Sequence, residues 1–271
     1  MSESAKPAAS AEVLLETRQG SIVSLVMNRP EKLNALNNEL ATALISTFTR
    51  LEEDASAHVV LLSGAGRAFC AGGDLSVIGK GRETGETKHL EPLLRSGMQA
   101  VLKIRTMPQP VIAVVHGAAA GAGMNIALAA DMRLASEDAT FGQNFARVGL
   151  FPDYGGTYFL PQLVGPAKAA EMFYTGEMID AATALRLGIV NHVYPVAQLE
   201  AAARALAEKI AAGPPVSIRA IKKAVFSAQK QELAHALEME VRQQIQCYLS
   251  EDCREGIRAF MEKRHPKFQG K

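Results

Sequence analysis

Twenty consecutive residues from Val111 to Ala130 are apolar or small, with His116 and Asn125 the only exceptions, and about twenty is the length at which a helix spans a bilayer. The internal punctuation excludes that reading. Residues 111–115 form a valine- and isoleucine-rich run of the buried-strand kind; Gly117, Gly121 and Gly123 interrupt the chain after it, and 125–130 resumes with helical character up to Asp131. The pattern is strand, glycine turn, helix. Such a turn presents backbone N–H groups at a helix start, where unsatisfied donors and the macrodipole favour negative charge. Something anionic is expected against it.

A second glycine loop precedes this one. Residues 22–27 and 59–62 read as short buried strands. The first ends at Asn28-Arg29-Pro30, and the second runs into SGAGRAFCAGGDLS, with glycines at Gly64, Gly66, Gly72 and Gly73. Between them Leu36, Leu40, Leu44, Phe48 and Leu51 recur at helical spacing behind Asn37, which predicts an amphipathic helix over 38–54 with an asparagine cap. The polar segment 77–92, VIGKGRETGETKHLEP, carries three glycines and charges of both signs, and reads as a mobile excursion, lid or linker. A helix over 93–104 follows, stopped by Pro108 and Pro110.

Beyond the central stretch, helices are expected over 166–174, 181–187 and 198–212, with a short strand over 189–194. Gly213-Pro214-Pro215 is the clearest break. From 216 to 263 the pattern is almost wholly helical, and Asp252 and Glu255 have the offset of an N-terminal cap. Asp131 reads as the end or cap of a helix.

Composition narrows the function classes. A formal net charge of +1 gives none of the basic field that nucleic-acid binding requires. Cys70, Cys247 and Cys253 make an odd count without a CxxC pair, which argues against a disulfide framework or a thiolate zinc site and for a reducing, cytoplasmic location. The six histidines show no metal-ligand spacing, so no metal is expected. His89, in the polar segment, could visit a neighbouring pocket or simply be solvated. The opening MSESAKPAASAE lacks an apolar core and reads as a frayed tail rather than a secretory signal.

Two glycine loops, each following a buried strand, can together offer two backbone donors to a developing oxyanion. Two ordinary strand-to-helix turns would look the same at this level. Neither loop is a nucleotide fingerprint, because Phe69 stands where the third glycine of GxGxxG would be and no GxxxxGK[ST] occurs. Asp153, set between Phe151-Pro152 and Tyr154, is the acid most open to desolvation and hence to a raised pKa. A surface-turn aspartate accepting hydrogen bonds from Gly155 and Gly156 would fit the same residues.

NRPEKLNAL at 28–36, GAGRAFCAGGDL at 64–75, the stretch 110–131, GLFPDYGGTYFLPQLVG at 149–165 and EGIRAFMEKRHPKF at 255–268 occur in the order that resembles the enoyl-CoA hydratase/isomerase (crotonase) superfamily. The resemblance runs over residues 12–270. It implies an α/β fold in which a spiral of β-β-α units occupies 12–195, behind a disordered tail at 1–11 and ahead of a C-terminal helical region at 196–271 that builds trimers or dimers of trimers. It also implies acyl-CoA thioester substrates, coenzyme A entering as part of the substrate with no other cofactor, and neither nucleic acid nor membrane as partner. By the same resemblance the oxyanion donors are the N–H groups of Gly73 and Ala122. Lys32, Leu33, Ala35, Ala71, Gly72, Asp74 and Leu75 line the coenzyme A site, with Asp74 a brace of the loop rather than a base. Phe260 and Lys263 match positions lent to a neighbouring subunit's coenzyme A site.

The departures carry more information. Where hydratases of this family hold two glutamates, this chain has Asn125 and Phe145, neither able to act as a general acid or base. Asp153 matches the position of the acid in the isomerase branch. The expected activity is therefore a 3-enoyl-CoA to 2-enoyl-CoA shift or the opening of a ring epoxide of phenylacetyl-CoA, as in the phenylacetate-pathway isomerases. A hydratase of fatty-acid or aromatic catabolism and a non-catalytic CoA-ester-binding protein remain the alternatives. A dehalogenase-like member would want a histidine on the helix over 93–104, which has none.

Overall fold

The computed structural model describes residues 12–84, 88, 90–227 and 230–267; the expected tail at 1–11, His89 and Phe268 lie outside them. Strands β1 (Leu14–Gln19) and β2 (Ile22–Met27) form an antiparallel hairpin. β2 then pairs in parallel with β3 (Val59–Gly64), β3 with β4 (Val111–Val115), β4 with β6 (Met132–Ser136) and β6 with β9 (His192–Tyr194). A second sheet holds β5 (Ala118–Ala120), β7 (Thr140–Gly142) and β8 (Met178–Asp180). β4 and β5, then β6 and β7, each pass from the first sheet to the second, and isolated bridges Ala68–Gly117 and Cys70–Ala119 carry the chain after β3 across in the same way. The result is the spiral of short β-β-α turns of the crotonase fold.

Strands β2, β3 and β4 read as near-continuous apolar runs because both sheet faces are covered there. Alternate residues Val23, Leu25, Val60, Leu62, Val111 and Ala113 join the main core. Ile22, Val59, Leu61, Ile112, Val114 and Leu134 face the other way, onto Leu199, Ala203 and Ala207 of α8 (Val196–Ala211). On the main-core side lies α1 (Asn38–Glu53), whose Asn37 cap accepts from Leu40 N at 2.9 Å and whose Leu40, Leu44, Phe48 and Leu51 are fully buried. Each such side chain contributes about 1.5–3 kcal/mol by leaving water. Beside it runs α3 (Leu90–Thr106).

Several boundaries differ from the sequence expectation. The polar segment 77–92 is not an irregular excursion at its ends: α2 spans Leu75–Thr84 and α3 already begins at Leu90. Ile78 and Leu90 are buried and anchor both, so tertiary packing overrides the weak local pattern. α4 (Ala122–Ala129) starts three residues before the expected 125, since all eight of its residues are buried and no polar face marks its start. α5 (Gly156–Val164) was hidden by Pro161 within it. α6 (Pro166–Thr175) and α7 (Ala181–Arg186) follow, then, after α8, α9 (Pro215–Ser227), α10 (Lys230–Tyr248) and α11 (Glu251–Met261). Asp252 and Glu255 do not cap α11. Ser250 does, accepting from Cys253 N at 3.1 Å, while Glu255 pairs with Arg264.

Asp131 caps no helix either. Its Oδ2 accepts from Val111 N at 2.6 Å and from Lys222 Nζ of α9 at 2.8 Å. The Lys222 ammonium, buried, also donates to Ile104 O and Gln109 O at 2.8 Å each. This one cation joins α9 to the start of β4 and the end of α3. Burial lowers the Lys222 pKa, against the Asp131 charge that favours the ammonium.

Candidate active site

Two backbone segments meet around Gly73. Leu36 N donates to Gly72 O at 2.7 Å and Leu36 O accepts from Asp74 N at 2.9 Å, a parallel bridge. The pattern turns the N–H of Gly73, the residue between, to the opposite side. Ala122 is the first residue of α4, behind Gly121 at φ 51°, so its own N–H has no acceptor within the helix. A side chain at Gly72 is excluded twice over: its φ is 102°, and a Cβ would stand 2.9 Å from Ala120 O and 3.7 Å from Ala122 N. The two glycine loops therefore approach closely at Gly72.

Gly73, Ala122 and Asp153 line one cavity, walled by Leu36, Ile78, Leu90, Leu93, Leu94 and Leu150. At about 10 Å3 it has room for roughly one water molecule. Asp153 is 9% exposed, and its Oδ1 has no hydrogen-bond partner among the described residues. Its Oδ2 accepts from Gln244 Nε2 of α10 at 3.1 Å. Burial pushes its pKa up to about 8; the Gln244 hydrogen bond works against this and the neighbouring Glu240 charge adds to it. The surface-turn alternative is gone, because Gly155 N donates to Glu240 Oε2 at 2.8 Å and Gly156 N donates to the backbone oxygen of Asp153.

The turn that presents Asp153 is held from three sides. Asn125 Nδ2 donates to Asp153 O at 2.7 Å, while Asn125 Oδ1 accepts from Gln143 Nε2 at 2.6 Å. Glu240, buried in α10, accepts from Gly155 N and from the Thr157 hydroxyl, and burial raises its pKa to about 7. Tyr154 adopts φ 52°, a left-handed conformation unusual for a bulky residue, and its ring rests directly on Gly97 of α3, where a Cβ would come within 2.1 Å of it. Phe145 is buried with its ring against Gly121.

The remaining residues expected at the site divide into two groups. Lys32, Leu33, Ala35, Ala71, Gly72, Asp74 and Leu75 come together, since Ala71 N donates to Leu33 O at 2.9 Å and the bridge at Leu36 ties the two segments. Lys32 is exposed, and Leu33 sits at φ 50°. Asp74 braces the loop: its carboxylate takes the Arg29 guanidinium at 2.9 Å and Ser76 N and Oγ at 3.1 and 2.6 Å. Desolvation opposes its ionisation, yet these bonds hold its pKa below the usual value. Phe260 and Lys263 lie apart from this cavity, exposed at the end of α11. Among the described residues no group of three or more His, Cys, Asp or Glu could hold a metal ion, and no helix is long and apolar enough to cross a membrane.

Sequence reasoning missed Gln244, Glu240 and Asn34. Asn34 is buried at φ 56°, accepts from Arg29 N and donates to Ala65 O and Ala68 O, which sets the loop beneath Gly73. Glu240 and Gln244 are four residues apart on α10 and so share a face. Polar residues at helical spacing within an otherwise apolar pattern were the available signal.

The family model of Enoyl-CoA hydratase/isomerase matches residues 17–271 of the chain. A Rhodobacter capsulatus protein named "Probable enoyl-CoA hydratase" is 42% identical over 248 residues, covering 91% of this chain and 94% of its own. The 1,2-epoxyphenylacetyl-CoA isomerase of Escherichia coli is 35% identical over 267 residues, covering 96% and 99%. An enoyl-CoA hydratase structure from Mycobacterium avium subsp. paratuberculosis superimposes with a TM-score of 0.85 at 33% identity, covering 93% of this chain and 100% of that one. The chain belongs to the enoyl-CoA hydratase/isomerase family.

Proposed function

We propose that this chain is an acyl-CoA isomerase that moves a proton along the acyl chain with one aspartate. Asp153 removes the C2 proton of a 3-enoyl-CoA, the electron pair delocalises onto the thioester oxygen held by the N–H groups of Gly73 and Ala122, and the proton returns at C4 to give the 2-enoyl-CoA. Each donor contributes about 2.7–4 kcal/mol to the transition state by analogy with removals elsewhere. The observation that carries the reading is a buried carboxyl with a raised proton affinity, lining one cavity with both donors, while Asn125 and Phe145 supply no acid. Ring opening of an epoxyphenylacetyl-CoA passes through the same delocalised charge and fits the same groups.

Lys32, Leu33, Ala35, Ala71, Gly72, Asp74 and Leu75 frame the coenzyme A end of the substrate, and no other cofactor is needed. Phe260 and Lys263 serve a neighbouring subunit in a trimer or a dimer of trimers, and the protein works in the cytoplasm, without a nucleic acid partner. The hydratase alternative takes its support from the name of the 42% identical relative. Incubation with 3-hexenoyl-CoA, 2-hexenoyl-CoA in water and epoxyphenylacetyl-CoA separates the readings. Isomerisation should dominate, and hydration rivalling it would favour the alternative. Asp153→Asn should abolish isomerisation and leave CoA-ester binding intact; undiminished turnover would remove Asp153 from the mechanism. Thioester affinity without turnover of any of the three would mark a binding protein.

A further inference from the structure

A carboxyl base has two oxygens, and in an isotropic pocket either would serve. Here they differ. Gln244 Oε1 accepts from Phe151 N at 2.9 Å, and since a backbone N–H can only donate, this bond settles the orientation of the amide. Its Nε2 therefore points a donor at Asp153 Oδ2, 3.1 Å away, and Oδ2 is committed as an acceptor. Oδ1, buried and without a partner among the described residues, is the oxygen left to carry a proton. Gln244 is itself 1% exposed and lines the same cavity as Asp153, Gly73 and Ala122.

We infer that Gln244 is a positioning residue that restricts proton transfer to Asp153 Oδ1, so that the same oxygen takes the proton from C2 and returns it to C4. This rests on the reading of Asp153 as the base. In the forward step the C2–H bond breaks, an Oδ1–H bond forms and the electron pair moves onto the thioester. In the second step the Oδ1–H bond breaks and a C4–H bond forms, leaving the carboxylate as it began. A carboxyl free to rotate would present its proton elsewhere and let it exchange. The cavity that Asp153 lines has room for only about one water, so a proton held on a fixed carboxyl meets little solvent to exchange with.

Among the described residues, the groups that set the charge around Asp153 are few. Glu240, from the same α10, raises its proton affinity; Gln244 lowers it; Tyr154, its neighbour in the chain, has its own pKa raised by burial and by Asp153. α4 presents the neutral Asn125. Gln244→Met removes both hydrogen bonds. Gln244→Glu keeps the acceptor for Phe151 N and takes away the fixed amide donor, which guards against simple loss of the turn.

The test uses the full chain and 3-hexenoyl-CoA, deuterated at C2 for one measurement. Wild type should carry a large share of the label to C4. Both variants should lose that share to solvent and drop in kcat with KM little changed; Gln244→Met should shift the acidic limb of the kcat/KM profile upward by about one to two pH units, the worth of one hydrogen bond to a charged group, and Gln244→Glu by more, because it adds a like charge beside Oδ2. A fall in kcat with label retention and acidic limb both unchanged would reduce Gln244 to a structural residue and overturn the inference. Full turnover by Asp153→Asn would instead show that the base itself was misassigned.

Discussion

A carboxyl that binds its proton more tightly in the folded chain than in the unfolded one makes stability depend on pH, and Asp153→Asn isolates that dependence. The Asp153 pKa rises from 3.8 to about 8, chiefly through burial. Below pH 3.8 both states hold the proton and nothing is lost. Between pH 4 and 8 the unfolded chain has released it while the folded chain retains it, so stability falls as pH rises and levels out above 8. At roughly 1.4 kcal/mol for each tenfold change in affinity, the penalty is about 2 kcal/mol at pH 5 and about 5 kcal/mol at pH 8. Asparagine keeps an oxygen to accept from Gln244 and sets an NH2 where the protonated oxygen stood, so it escapes the penalty at every pH. Any constant cost of the substitution cancels between pH values. So does the titration of Glu240, common to both proteins. Urea unfolding at fixed protein concentration should show the variant gaining about 3–4 kcal/mol on the wild type between pH 5 and pH 8. A difference that is flat across this range would mean that Asp153 is not held neutral by burial, and the case for a strong base would fall with it.

Gly97→Ala drives a methyl into the Tyr154 ring, which lies within 2.1–2.6 Å of the added carbon; overpacking of this kind costs about 1–3 kcal/mol, and since Tyr154 adjoins Asp153, kcat should fall more than the midpoint of unfolding alone explains. Retained kcat would show the turn to be insensitive to its support. Lys222→Ala leaves the Asp131 carboxylate buried without its cation and should cost about 3–5 kcal/mol in urea unfolding, whereas Lys222→Met combined with Asp131→Asn should recover at least half of it. Ser250→Ala removes the cap of α11 and should lower stability by about 1 kcal/mol, measured as a shift in the same urea midpoint with the slope unchanged.

The sequence was legible where one physical signal dominated. Strand β2 appears at the limits its apolar run implies, and Asn37 caps α1 as its position ahead of Leu40 suggests. β1 escaped notice because only Leu14 of its six residues is buried, leaving neither alternation nor an apolar run. β5, β7 and β8 have three residues each, too short for any period to register. The cap of α11 was misread because Asp252 and Glu255 satisfied a spacing rule that Ser250 satisfies in fact.

For the site, the difference lies in the kind of interaction. Gly73 and Ala122 line the cavity with Asp153, and the glycine turns that place their backbone N–H groups are visible in the sequence. Asp153 was singled out for its apolar neighbours Phe151, Pro152 and Tyr154. Burial raises its proton affinity most, and α10, some ninety positions further on, adjusts it: Gln244 holds one oxygen and lowers it, while Glu240 adds a like charge and fixes Gly155. Asn125, read only as a lost glutamate, turns out to hold the Asp153 carbonyl. The residue that departs from the hydratase pattern thus supports the turn that carries Asp153, and no local pattern could have joined those two facts.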